Sequence, residues 1–97
     1  MQTLETVEEA DEELKAAARY YEAQQEGLGE AFIQEVSRGF ELIGRHPLTW
    51  PVLEGTIRRL GLRRFPYAIV YRVAGDECFV LAIAHQHRRP GYWRHRA

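Results

Sequence analysis

Between His85 and Arg96 the chain gathers His85, His87, Arg88, Arg89, Tyr92, Trp93, Arg94, His95 and Arg96. Chemistry on RNA could use that mixture. Cleaving a phosphodiester through its neighbouring 2′-OH needs a base for the hydroxyl proton, a cation for the charge growing on the phosphorane and an acid for the leaving oxygen. Histidine titrates near neutrality and arginine forks onto phosphate. A nuclease built here would draw on His85 or His87 with Arg64 and Tyr71. A binding surface would need no catalytic group, and Arg58, Arg63, Arg88, Arg89, Tyr92 and Trp93 are the residue types that carry binding energy or stack on splayed bases.

Each of these residues also has a plainer reading. A histidine ending a core strand more often bonds a backbone carbonyl than does chemistry, and Trp93 is a natural lid on a sheet edge. Arg88 and Arg89 could pair with helix carboxylates. His85-Gln86-His87 could bring two ring nitrogens to one side of a strand, but a metal site wants three or four ligands, so no metal and no cofactor is expected.

Charge divides the sequence. Residues 1–56 carry 12 acidic against 4 basic side chains, a balance of −8, whereas residues 57–97 carry 2 against 9, a balance of +7. All nine late bases are arginine. Such a half could meet nucleic acid or an acidic protein segment, or be neutralised internally by the acidic half.

The elements that must position these residues follow from periodicity. Thr6 and Glu9 have capping-box spacing, which predicts a helix from Val7. Val7, Ala10, Leu14, Ala17 and Tyr21 then recur at helical steps, so the helix should reach Gln25. Gly27 and Gly29 permit a tight reversal, and Phe32, Val36, Phe40 and Ile43 carry a second helix over 29–45, stopped by His46-Pro47. The stretch 46–55 reads as a loop. Strands are expected at 57–64, 67–74 and 78–85, the last two joined by Gly75-Asp76, with a short edge strand open to Gln2–Glu5. The predicted core comprises Leu14, Tyr20, Tyr21, Phe32, Val36, Phe40, Val70 and Leu81. Helices then strands imply one α+β domain over 1–97, an antiparallel helical hairpin on one face of a small antiparallel sheet.

Composition supports that outline, with 45% hydrophobic and 28% charged residues. The longest charge-free apolar run, Cys78 to Ala84, is far short of the ~20 residues of a membrane span, and the acidic start lacks a signal peptide's basic and apolar regions. Together with the lone Cys78, this predicts a cytoplasmic protein.

Several stretches, in order and spacing, resemble one family. They are Ala18-Arg19-Tyr20-Tyr21-Glu22, Gly27-Leu28-Gly29 with Phe32, His46-Pro47, Arg63-Arg64-Phe65-Pro66-Tyr67, Val70-Tyr71, His85, His87-Arg88-Arg89-Pro90 and Tyr92-Trp93. Nearly the whole chain is similar to the RelE/ParE superfamily of toxins from type II toxin-antitoxin systems, often called plasmid stabilisation proteins, and is closer to the ParE-like branch. The resemblance implies two helices followed by an antiparallel sheet, a cognate antitoxin as partner, and DNA gyrase as the bound target. It also leaves open a ribosome-dependent mRNA endonuclease, a non-toxic degenerate member, and a homodimer or toxin-antitoxin hetero-oligomer.

Overall fold

The computed structural model describes residues 2–97. Strand β1 (Thr3–Thr6) leads into helices α1 (Glu8–Gln24) and α2 (Leu28–Arg45), then β2 (Val52–Glu54), β3 (Ile57–Gly61), β4 (Tyr67–Ala74), β5 (Glu77–His85) and a closing 3-10 turn (Arg94–Arg96). The sheet order is β1-β5-β4-β3-β2. Every pairing is antiparallel except β1, which lies parallel to β5 from Thr3 opposite Glu77 to Thr6 opposite Val80. The fold is therefore α+β with a mixed five-stranded sheet.

That parallel strand corrects the expected helix start. Thr6 is committed to β1, so its hydroxyl makes no cap, and extended Val7 precedes the helix instead. The Val7 N–H continues the ladder, donating to the Val80 carbonyl at 3.0 Å. Glu8, Glu9 and Asp11 in the first turn complement the positive end of the α1 dipole.

The hairpin between the helices depends on two small residues and one borrowed carboxylate. Gly27 adopts φ +87°, and Glu22 of α1 accepts the N–H groups of Gly27 (3.0 Å) and Gly29 (3.0 Å), capping α2 from outside. A Cβ on Gly29 would sit 2.5 Å from the Ala18 carbonyl oxygen, so glycine lets α1 and α2 approach this closely. Gly39 does the same for α2 against the sheet, where a Cβ would meet Ile69 Cδ1 at 2.5 Å.

The main core lies between the hairpin and one sheet face, with Phe32, Val36 and Ile43 against Ile69, Tyr71, Val80 and Ile83. Tyr21, Phe32, Phe65 and Tyr67 form an aromatic cluster with ring centroids 4.8–6.2 Å apart. Leu14, Tyr21 and Phe40 are half-buried at its margin. Tyr20 is not core: one residue round the helix from Tyr21, it is 59% exposed. Val70 and Leu81 are buried on the opposite face, where Trp93, Ile57 and Ala82 join them in a smaller second core.

Two further boundaries differ from expectation. Strand β3 stops at Gly61, and Arg63 and Arg64 instead occupy a turn whose N–H groups donate to Glu35 of α2 at 2.6 and 3.3 Å. The predicted loop contains β2, which pairs with β3. Its approach is fixed by Arg58, whose guanidinium donates to the Leu48 (3.1 Å) and Trp50 (2.8 Å) carbonyls. No helix among the described residues is long and apolar enough to cross a membrane.

Candidate functional site

The sheet face opposite the helices carries a cleft, and cross-strand register explains it. Gly61 pairs with Ala68 and Ala68 with Ala84, so the three strands β3, β4 and β5 present their smallest side chains in one row. One row further along, Val70 and Ala82 are roofed by Trp93. The cleft, of about 340 Å³, has Ala68, Val70 and Ala84 in its floor. Leu53 of β2 and Arg59 of β3 line it together with Arg88, Arg89 and Arg94 from the segment after β5, Arg94 reaching Glu54 of β2. Arg59 lies over Gly61, its Nη1 3.2 Å from where a Cβ would be.

Electrostatics separate the guanidiniums into committed and free. Arg94 bonds Glu54 at 2.8 Å in an exposed pair, and Arg96 is taken up by Glu13. Among the described residues Arg59, Arg88 and Arg89 have no carboxylate within 4.0 Å. Arg88 instead stacks on Tyr92, 3.9 Å from the ring centre.

The segment after β5 is held by Glu13 of α1. Its carboxylate accepts Arg96 Nη1 (2.9 Å) and Nη2 (3.2 Å), the Tyr92 hydroxyl (2.8 Å) and the Ile83 N–H (3.1 Å). Burial, then the Glu13 bond, pushes the Tyr92 phenol well above its ordinary pKa. For Arg96, burial is the largest influence and works against the charged form, but the bond to Glu13 and the charges of Glu13, Tyr92 and Glu9 together outweigh it and the pKa rises. Gly91 turns the chain with φ +79° just before.

The residues singled out from sequence divide between several places. His85, Arg88, Arg89, Tyr92 and Trp93 converge on the cleft. Trp93 is only 5% exposed, so most of its ring belongs to the second core. Tyr71 lies on the helix face, fully buried, its hydroxyl donating to the Pro47 carbonyl at 2.7 Å. Burial pushes its pKa up to about 12. It is a structural residue, removed from any acid-base role. Arg64 sits in the β3–β4 turn against Phe65, Arg63 is exposed beside it, and Arg58 is spent on loop carbonyls.

His85 needs separate treatment, because it borders the cleft. Its Nδ1 accepts the His87 N–H at 3.0 Å, and the two rings lie 5.2 Å apart. The four candidate catalytic groups do not converge: Tyr71 is beneath the helices, Arg64 is in the β3–β4 turn, and His85 borders the cleft with the His87 ring beside it.

Sequence reasoning passed over Arg59 and Glu13. The signal for Arg59 was the alternation of Ile57, Arg59 and Gly61 on one face of β3. Nothing local marked Glu13, because its partners lie at the other end of the chain.

A hairpin of helices on a five-stranded mixed sheet fits the architecture of the RelE/ParE toxin superfamily. The family model for the ParE toxin of the type II toxin-antitoxin system parDE matches residues 4–90, and the chain belongs to that family. Among solved structures it is similar to a chain from the chromosomal ParDE system of P. aeruginosa, with a TM-score of 0.64 and 23% identity. That alignment covers 88% of this chain and 96% of the other, and at such identity it shows the shared fold. No curated protein matches.

Proposed function

We propose that this toxin stops growth by binding DNA gyrase in the cytoplasm, rather than by cutting mRNA, and that a cognate antitoxin holds it inactive. The observation that supports a binding mode is that the candidate catalytic groups do not converge. Tyr71 is buried on the helix face and Arg64 lies in the β3–β4 turn, which leaves His85 in the cleft with Arg59, Arg88 and Arg89, three cations without carboxylate partners among the described residues. Acid-base catalysis requires its groups within hydrogen-bond reach of one reacting centre. Binding requires only presented contacts, and arginine is a common hot spot.

The test expresses wild type, His85→Ala/His87→Ala and Arg88→Ala/Arg89→Ala in cells lacking antitoxin, following plasmid supercoiling and mapped mRNA 5′ ends. Perturbed supercoiling that survives the histidine pair and is lost with the arginine pair is the expected outcome. Codon-phased mRNA cuts with normal supercoiling, abolished by the histidine pair, would make the protein a nuclease.

A further inference from the structure

The match to the family ends at residue 90, and the segment beyond it roofs the second core and supplies the Arg94 wall of the cleft. We infer that this cleft grips the sugar-phosphate backbone of duplex DNA, so that the toxin engages a topoisomerase together with the DNA that enzyme holds. The inference rests on the gyrase reading and adds a second partner to it.

Charge is the first support. Three cleft guanidiniums lack a carboxylate among the described residues, and a fourth, Arg94, is held only by an exposed pair with Glu54 that a phosphate could replace. Twelve of the 14 acidic side chains belong to residues 1–56, most of them on the helices that cover the other sheet face. Apart from Glu54, which the cleft holds against Arg94, an anion approaching this face meets cations.

Shape is the second. A floor of Ala68 and Ala84 leaves room for a phosphate chain beside Arg88 and Arg89, with Arg59 folded over Gly61 at its edge.

The third support separates duplex from single strand. Single-stranded nucleic acid is recognised largely by stacking its bases on free aromatic rings. Here the rings are consumed: Trp93 is buried on Val70 and Leu81, and Tyr92 bonds Glu13 beneath Arg88. What remains is a set of cations, and cations alone suffice for sequence-independent contact with duplex phosphates.

The full chain is titrated into fluorescently labelled random-sequence duplex, with anisotropy followed across salt concentrations. Binding should be weak and independent of sequence. Its log-log salt slope should be roughly −0.9 per phosphate engaged, or about −3 for three cations. Arg59→Ala/Arg89→Ala should flatten that slope by about 2 while leaving the urea midpoint in place, since both side chains are exposed. Absence of salt-dependent binding, or tighter binding of single-stranded RNA or polyglutamate than of duplex, overturns the inference. Supercoiling judges the gyrase reading separately: duplex affinity with unperturbed supercoiling keeps the DNA grip and sinks gyrase, and the reverse result sinks the grip alone.

Discussion

Glu13 and Arg96 meet through two bonds, at 2.9 and 3.2 Å, where the sheet would otherwise be left open. Strand β1 accompanies β5 only as far as Val80. Beyond it the Ile83 N–H finds Glu13 and the Leu81 carbonyl finds Arg96 at 3.0 Å, so a charged side-chain pair takes over from a strand. An uncovered edge invites pairing with another chain, and this clasp blocks it.

Glu13→Gln keeps the shape of the clasp and removes its charge. The side chains of Arg96 and Glu13 are only 9% and 17% exposed, so the loss should be about 2–3 kcal/mol. Arg96→Ala should cost a similar amount, and the double variant little more than either alone. Urea denaturation of the four proteins measures the coupling; additive losses would show that the two residues act independently.

Gly29→Ala places a methyl group against the Ala18 carbonyl, which cannot rotate away. The helices must separate, at an expected cost of about 1–3 kcal/mol. A thermal melt unchanged from wild type would mean that the hairpin tolerates wider spacing.

Phe32→Ala should cost about 3–5 kcal/mol, since the ring is fully buried among Tyr21, Phe65 and Tyr67. Tyr20→Ala, on an exposed ring, should stay within about 0.5 kcal/mol. Comparable losses at both positions would misplace the helix face.

Stability should fall in alkali. Tyr71 has a folded pKa of about 12 against an ordinary 10.0, so folding favours its neutral form. Its contribution is fully present below pH 10.0 and is lost as pH rises toward 12. Tyr92 is shifted in the same direction and should add to the effect. Urea midpoints taken from neutral pH upward should drop through this window, and Tyr71→Phe should reduce the drop while costing about 1 kcal/mol at neutral pH for the unpaired Pro47 carbonyl.

Helices were legible because their signal is local. Phe32, Val36, Phe40 and Ile43 repeat within one element, and the glycines and His46-Pro47 mark its ends. Thr6 misled because a local rule gave way to a distant partner: a threonine before an acidic turn reads as a cap, but pairing with Val80 fixes it in a strand. The parallel direction of β1 is set by a partner far along the chain, and β2 forms only because β3 lies beside it. The same limit governs the site. Alternation placed Tyr71 on one face of β4, yet its bond to Pro47 depends on a loop without periodicity. Trp93 looked available because its covering surface, Val70 and Leu81, is assembled from two strands.

The parallel strand also orders events in time. Thr3–Thr6 is made among the first residues but can dock only after Glu77–Val80 exists, and Glu13 waits still longer for Arg96. Contacts between such distant segments must overcome loop-closure entropy before they repay it, which slows folding. During synthesis the acidic helical hairpin can form while β5, the cleft and the clasp are all absent. A nascent chain therefore passes through a stage that is negatively charged and has no basic face, and it acquires its capacity to bind only as the sheet closes.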